Sequence, residues 1–280
     1  MQAALTRFDI AALQSMYENF YRDPCSKGLV GWPRSWGGAS DREHIREAEL
    51  SIMREETLYR IECWRTHTGG RYSISALESP DIGRPFGVRI DGTFIVPRSE
   101  YHHACACRIV ELTSPGSSFV EIGGGYGAMA YYLLRAATKI RYTGFDLPET
   151  LALAAYYLGN AFPERALILY GEEANAIDQL PPGAIVLMPP WKIANLPDKS
   201  VDATFSSHLL CDLDPVAQTR YLTEIARFTK SLLVNCGRED DATIQAFEQH
   251  FHGIERRRTA WHLYRDPEAM ECEQLLQPRH

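Results

Sequence analysis

The chain has 280 residues, of which 45% are hydrophobic and 23% are charged. These proportions are those of ordinary globular proteins, so they exclude global disorder and fibrous repeats. The 36 acidic and 29 basic side chains give a net charge of −7 with the histidines neutral, which argues against a broad basic surface for nucleic acid or anionic lipid.

The cysteine content and the hydropathy of the chain indicate the cellular compartment in which we expect the protein. The seven cysteines are odd in number, scattered and without a CxxC pair, which suits a reducing compartment better than a disulfide framework. The N-terminal segment lacks the apolar core of a signal peptide, and no stretch approaches the ~18 to 20 apolar residues that a membrane span needs. We therefore expect a soluble, cytoplasmic protein with no membrane partner.

The N-terminal part of the chain favours helices. Apolar residues recur at helical spacing in residues 8–22 and 41–65, and residues 99–112 form a third predicted helix. We expect residues 1–110 to form a largely helical extension, for which three roles are open: a lid, an acceptor-binding surface and a homodimer contact.

A loop rich in Gly, Pro and Trp separates the first two predicted helices. It contains Trp32 and Trp36 with Arg34 between them. These side chains either pack in the interior or form an aromatic and cationic wall for an acceptor.

After Pro115, short β-rich runs alternate with longer helical runs. The predicted strands are 118–122, 141–145, 184–188, 202–206 and 232–235, with a late edge strand at 256–264. The predicted helices are 126–137, 148–160, 215–228 and 240–251. This alternation is typical of parallel βαβ units with helices on both faces of the sheet. We therefore predict an α/β fold with a Rossmann-like, mostly parallel sheet over residues 111–280.

The strongest local signal is the sequence FVEIGGGYGA at residues 119–128. A predicted strand ends, glycines turn the chain and a helix begins, so backbone N–H groups and the helix N-terminus face whatever is bound. This arrangement suits a nucleotide-like ligand. It makes Glu121, Gly123, Gly125 and Tyr126 candidate cofactor-binding residues.

A second acidic residue narrows the choice of cofactor. The next predicted strand ends at Asp146, and adjacent parallel strands would place this carboxylate within reach of a ribose diol. The glycines do not follow the GxGxxG spacing, and Glu121 would repel a pyrophosphate, whereas it can accept hydrogen bonds from a cationic amino-acid group. The two carboxylates favour S-adenosylmethionine and disfavour an NAD-dependent oxidoreductase.

These residues resemble the class I S-adenosylmethionine-dependent methyltransferases, over about residues 117–236. In that family an E/DxGxGxG loop holds the amino-acid part of the cofactor, and the acid after the second strand binds the ribose hydroxyls. Three more segments, FDLPETLALAAYYLGNAF, DATFSSHLLCDLD and LLVNCG, resemble the sugar O-methyltransferase family. The resemblance implies a Rossmann-like methyltransferase sheet, S-adenosylmethionine as cofactor, and Asp146 and Leu147 as cofactor-binding residues.

Polar residues at the end of the fourth predicted strand are the catalytic candidates, because ligands in such sheets bind beyond the carboxyl ends of the strands. Ser206 is a candidate cofactor contact. Methyl transfer to a hydroxyl benefits from a base, for which His208 is the first candidate and Asp212 the second. As alternatives, His208 caps a helix or satisfies a carbonyl, and Asp212 belongs to the next helix's first turn. In plant-type O-methyltransferases, which also carry a DLP turn, the catalytic His would align near Cys211. This sequence has no His there, which argues against that specific mechanism.

Three other residues are candidates for the cofactor site. Trp191 follows the third predicted strand, where it either covers the adenine or packs under the loop. Arg98 and Tyr101 lie at the start of the predicted helix that leads into the first strand, from which they can reach the cofactor carboxylate. A solvated position at the helix start is the alternative for Arg98.

One pair of residues has the spacing of metal ligands. His103 and Cys107 lie i, i+4 on one predicted helical face. No second ligand pair with suitable spacing accompanies them, and two ligands do not define a site. We therefore expect a packed helix and no metal site.

The expected function is S-adenosylmethionine-dependent transfer of a methyl group to a hydroxyl of a sugar or sugar-bearing metabolite, with no nucleic-acid partner. One alternative is a methyltransferase for a natural-product phenol, carboxylate or amine. Another is a non-catalytic methyltransferase-like scaffold, against which the intact glycine loop and its acidic partner argue.

Overall fold

The structure is a computed structural model that describes residues 7, 9–31, 33, 36, 44–172, 180–238, 241–268 and 270–279. Of the tryptophan loop, Trp32 and Arg34 lie outside the described residues. Trp36 is buried, and its ring lies edge-on to Phe86 with the centroids 4.9 Å apart. Trp36 therefore packs in the interior, which is the first of the two alternatives for this loop.

The elements alternate in the second half of the chain as the sequence predicts. The helices are α1 (Ile10–Glu18), α2 (Glu47–Thr68), α3 (Ser99–Leu112), α4 (Ala128–Ala136), α5 (Pro148–Ala161), α6 (Leu209–Asp212), α7 (Pro215–Phe228) and α8 (Asp241–His250). The strands are β1 (Val88–Ile90), β2 (Thr93–Ile95), β3 (Ser118–Ile122), β4 (Arg141–Phe145), β5 (Leu167–Leu169), β6 (Ile185–Met188), β7 (Val201–Ser207), β8 (Thr229–Arg238), β9 (Phe251–Arg258) and β10 (Glu271–Pro278).

The main sheet has eight strands in the order β5-β6-β4-β3-β7-β8-β10-β9. The six strands from β5 to β8 in this order pair in parallel, and β10 pairs antiparallel with both β8 and β9. From β3 the chain continues to β4 on one side, and from β7 it continues to β8 on the other side. The boundary between β3 and β7 is therefore the topological switch point, where such sheets bind ligands. The predicted Rossmann-like α/β sheet is confirmed.

Apolar side chains cover both faces of this sheet, which explains the continuous apolar runs of its strands. Phe119 and Phe205 face one cluster, to which the N-terminal region contributes Phe20, Tyr21 and Trp64. The opposite face is a second cluster of residues from the strands and from α7, namely Val120, Ile122, Phe145, Leu222, Ile225 and Phe228. The N-terminal region and the sheet thus share one of the two cores.

The C-terminal end of the sheet differs from the prediction. The late edge strand forms at Phe251–Arg258 rather than at 256–264, and β10, which the sequence pattern does not predict, lies between β8 and β9. In β10, Glu271, Glu273 and Gln274 are as buried as Leu275 and Leu276. No polar and apolar alternation therefore marks this strand in the sequence.

Among the described residues of the N-terminal region, α1, α2 and α3 are the main elements, and the β1–β2 hairpin and irregular connections make up most of the rest. The predicted boundary between residues 110 and 111 falls in the last turn of α3, and the division into two domains stays a prediction. Within the described ranges no helix combines the length and apolar character that a membrane span requires.

Candidate functional site

A cavity of about 810 Å³ opens at the switch point, beyond the carboxyl ends of β3 and β7. Eight of the residues predicted from the sequence line it together: Arg98, Tyr101, Glu121, Gly123, Gly125, Tyr126, His208 and Asp212. They come from separate parts of the chain. The fold therefore gathers most of the predicted cofactor residues and both candidate bases around one space.

The glycine loop after β3 passes close to two carboxylates. The Gly125 N–H donates to Asp146 Oδ2 at 2.8 Å, while Asp146 Oδ1 accepts from the Leu147 N–H at 2.7 Å. A Cβ added at Gly124 would lie 2.9 Å from Glu121 Oε2, whereas Gly125 has open space beside it and a φ of +59°. The loop therefore requires glycine for two reasons, close approach and left-handed backbone.

Glu121 is a buried carboxylate in the wall of the cavity. It is only 3% exposed, and the Tyr142 hydroxyl donates to its Oε2 at 2.6 Å. Burial raises the pKa of Glu121 to about 7, the Tyr142 hydrogen bond lowers it, and the negative charge of Asp146 raises it. A cation bound beside Glu121 would favour the ionised form, because an opposite charge offsets the cost of burial.

Asp146 lies next to the lining of the cavity through its bond to Gly125. Burial raises the pKa of Asp146, and the hydrogen bonds from Leu147, Gly125 and Thr150 lower it. Glu121 and Asp146 thus place two carboxylates against the same glycine turn. This end of the cavity suits a ligand that carries a cation and hydroxyl groups.

His208 begins the opposite wall, directly after β7. It is the N-cap residue of α6, yet its side chain makes no capping bond within the described residues, and its φ is +63°. Its backbone N–H donates to the Cys236 carbonyl at 2.7 Å, which holds this uncommon conformation in place. Burial lowers the pKa of His208, although the charge of Glu271 raises it, which favours the neutral imidazole, the form that accepts a proton or a metal.

Asp212 is the last residue of α6 and lines the cavity. The following helix, α7, is capped by Asp214, whose Oδ1 accepts from the N–H groups of Val216 and Ala217. Asp214, and not Asp212, is therefore the residue that caps this helix. Asp212 lines the cavity instead.

Arg98 and Tyr101 lie at the start of α3, on the side of the cavity nearest the N-terminal region. Arg98 has a φ of +74°, and its Nη2 lies 3.4 Å from His262 Nε2. The Tyr101 hydroxyl lies 2.7 Å from Ser207 Oγ. Both side chains therefore point across the cavity towards the end of β7 and the C-terminal segment.

Four predicted residues fall outside the lining that the described residues give this cavity: Asp146, which adjoins it through the bond from Gly125, and Ser206, Trp191 and Leu147. Ser206 is fully buried, because the side chains of a strand alternate and the cavity face belongs to Phe205 and Ser207. Trp191 is 57% exposed and Leu147 61% exposed, so neither packs in the core. A role for Trp191 in covering an adenine and a role for Leu147 in binding the cofactor stay predictions.

The C-terminal segment contributes a wall that the sequence pattern does not predict. Its lining residues are His262, Arg265, Asp266, Glu268, Met270 and Glu271. They belong to the connection between β9 and β10 and to the first residue of β10. The signal in the sequence that could have indicated this wall is the density of charged and histidine residues in 262–271.

The chain resembles known proteins in its fold and not in its sequence. No protein-family model matches the sequence, and no curated protein matches it. Solved structures that resemble the fold include the pyocyanin biosynthetic protein PhzM, with 17% identity, a TM-score of 0.48, and coverage of 84% of this chain and 74% of that one.

Two further solved structures resemble the fold. A TehB-like SAM-dependent methyltransferase from Corynebacterium glutamicum shows 13% identity and a TM-score of 0.45, over 81% of this chain and 99% of that one. The mitomycin 7-O-methyltransferase MmcR shows 14% identity and a TM-score of 0.44, over 65% of this chain. The match spans 55% of the length of MmcR.

Proposed function

We propose that the chain is an S-adenosylmethionine-dependent O-methyltransferase that acts on a hydroxyl of a sugar or sugar-bearing metabolite. One observation carries the proposal: a single cavity at the switch point joins a glycine loop with a buried carboxylate to a polar wall that holds His208 and Asp212. The first half suits the cofactor and the second half suits the acceptor.

The residues around the glycine loop fit the parts of S-adenosylmethionine. The ammonium group would lie by Glu121, whose raised pKa reports a buried carboxylate that a cation would stabilise. The ribose hydroxyls would bind Asp146, and the carboxylate would bind Arg98. When bound, S-adenosylmethionine supplies a methyl group activated by its positively charged sulfur.

The acceptor half of the cavity is polar and charged. Asp212, Asp266, Glu268 and Glu271 supply carboxylates, and Arg265 supplies a guanidinium. Several hydrogen-bonding groups around one space suit a polyhydroxylated acceptor, because each hydroxyl needs a partner when it leaves water. A flat apolar phenol would make fewer hydrogen bonds with these groups.

The N-terminal region lies against the cofactor half, which supports the lid role. The Tyr21 hydroxyl donates to the Tyr126 hydroxyl at 3.0 Å, and Phe20 packs on Tyr126 with the ring centroids 5.4 Å apart. Gly28 and Leu29 from the same region line the cavity. A homodimer contact through this region stays a prediction.

Turnover of S-adenosylmethionine with a labelled methyl group tests the proposal. We expect transfer to members of a glycoside panel and little transfer to phenols, carboxylates or amines of similar size. Transfer to phenols alone would support the natural-product alternative and contradict the sugar assignment. Cofactor binding without transfer to any acceptor class would favour the non-catalytic scaffold.

A further inference from the structure

We infer that His208, His262 and Glu271 form a binding site for a divalent transition-metal ion of the zinc type at the acceptor end of the cavity. One ligand atom from each of the three side chains lies within 4.8 Å of the other two. His262 Nδ1 is 2.5 Å from Glu271 Oε2, and His208 Nδ1 is 3.8 Å from Glu271 Oε1. This cluster differs from the His103 and Cys107 pair considered in the sequence.

Three separate elements hold the cluster together. His208 follows β7 in a positive-φ conformation, with its N–H bonded to the Cys236 carbonyl. Glu271 begins β10, where its carbonyl accepts from the Thr259 N–H at 2.9 Å, and His262 lies in the connection that this bond closes. Strained backbone that presents a side chain to a cavity is a common feature of functional sites.

The donor set matches the chemistry of zinc. Two imidazoles and one carboxylate bind Zn²⁺ in many catalytic sites, with metal to ligand distances of about 2.0 to 2.2 Å and one position left for water or substrate. At a tetrahedral ion such ligands are roughly 3.3 to 3.5 Å apart by that geometry. The observed separations of 2.5 and 3.8 Å lie on either side of this value and involve different oxygens of Glu271, so the side chains would rotate to bring three ligand atoms around one ion. Mg²⁺ is a poor match because it prefers oxygen ligands.

Both carboxylates and guanidinium groups surround the cluster. Asp212, Asp266 and Glu268 line the same cavity as Glu271, against the two guanidinium groups of Arg98 and Arg265. Arg98 Nη2 contacts His262 at Nε2, whereas Glu271 contacts the same ring at Nδ1. The guanidinium and the carboxylate therefore use different nitrogens of this imidazole.

The role of the metal rests on the proposed function. A hydroxyl bound to a divalent cation loses its proton more easily, because the cation stabilises the alkoxide. His208 would then act as a ligand through Nδ1, and Asp212 would be the carboxylate that accepts the proton. A metal with an open position would also fix the orientation of a polyhydroxylated acceptor.

Calorimetric titration with zinc chloride alone tests the site. The protein is the full chain without a histidine tag, treated with a chelator and then dialysed, with no cofactor or acceptor present. We expect one saturable site for Zn²⁺. Changes to residues that only support metal ligands lower metal affinity by roughly 10- to 100-fold. The ligand variants His262→Ala, Glu271→Gln and His208→Asn should lower the Zn²⁺ affinity by at least that much. Asn is chosen at 208 because it tolerates a positive φ.

Cys107→Ser is the matched control. His103 and Cys107 are buried, and the Trp64 indole N–H donates to His103 Nδ1 at 3.1 Å, so this pair is engaged within the core. We expect Cys107→Ser to bind Zn²⁺ like the wild type, and we expect Zn²⁺ to raise the melting temperature of both but not of the three cluster variants.

Two results would overturn the inference: no saturable Zn²⁺ binding by the wild type, or binding that the three cluster variants leave unchanged while their circular dichroism shows them folded. Equal affinity for Mg²⁺ would contradict the assignment to a zinc-type ion. Because the titration contains no methyl donor or acceptor, a failure of methyl transfer does not affect it, and the two proposals fail separately.

Discussion

Replacement of Glu121 by Gln should stabilise the ligand-free protein and abolish cofactor binding. Burial and its surroundings raise the pKa of Glu121 from 4.5 to about 7. One pKa unit corresponds to about 1.36 kcal/mol, so the ionised carboxylate costs about 3 kcal/mol of folding free energy. Gln keeps an oxygen that can accept the Tyr142 hydroxyl bond and removes the charge.

The sign of the pH dependence follows from the direction of the shift. The folded-state pKa of Glu121 lies above the unfolded value, so below about pH 4.5 both states carry the proton and the residue imposes no cost. The cost grows as the pH rises from about 4.5 to about 7 and is constant above that range. The stability advantage of Glu121→Gln over the wild type should therefore be near zero at low pH and about 3 kcal/mol at pH 8.

Glu100→Gln provides a matched control. Glu100 is also fully buried, and burial raises its pKa to about 7, but it lies outside the cavity lining formed by the described residues. Urea unfolding at pH 5 and pH 8 should give both variants a similar gain at the higher pH. Calorimetry with S-adenosylhomocysteine should show binding by Glu100→Gln and none by Glu121→Gln. No gain in stability for Glu121→Gln at pH 8, or unchanged cofactor affinity, would refute the reasoning.

Three further variants separate the parts of the cavity. Gly124→Ala places a Cβ 2.9 Å from Glu121 Oε2. S-adenosylhomocysteine should therefore bind about tenfold more weakly, a loss of about 1.4 kcal/mol in binding free energy. Full affinity in calorimetry would contradict the close packing of the loop. Asp212→Ala should lower kcat by about 100-fold, the lower end of general-base effects, with cofactor affinity unchanged, whereas unchanged turnover would remove Asp212 from the proton transfer. Ser206→Ala should leave cofactor affinity unchanged and stability within about 1 kcal/mol, because Ser206 Oγ is buried with no hydrogen-bond partner in the described part of the chain. A loss of cofactor affinity in this variant would restore the predicted contact.

The cofactor half of the site can be predicted because its signals are local. The strand that ends at Ile122 is a short apolar run, and the glycines after it mark the turn to a helix, so the predicted bounds of β3 match the observed ones. Asp146 follows from the same reasoning one strand later. Ser206 shows the limit of this reasoning, because a shift of one residue at the strand end moves a side chain to the other face.

The C-terminal wall depends on tertiary structure. His208 and Glu271 are far apart in sequence and meet because β10 pairs antiparallel with β8, which brings Glu271 opposite Arg238. The buried Glu and Gln residues of β10 remove the alternation that marks a strand. Neither His262 nor Glu271 carries a motif of its own, so the density of charged residues in 262–271 is the local sign that the sequence offers for this wall.

The most direct test of the account is calorimetry with S-adenosylhomocysteine on the wild type and on Asp146→Ala. Asp146 accepts from the Gly125 N–H and adjoins the cavity, so it is the residue through which the glycine loop and the proposed ribose site are joined. We predict saturable binding by the wild type and binding at least tenfold weaker by the variant, a loss of about 1.4 kcal/mol or more. Absence of binding by the wild type, or undiminished binding by Asp146→Ala, would contradict the assignment of this cavity to S-adenosylmethionine.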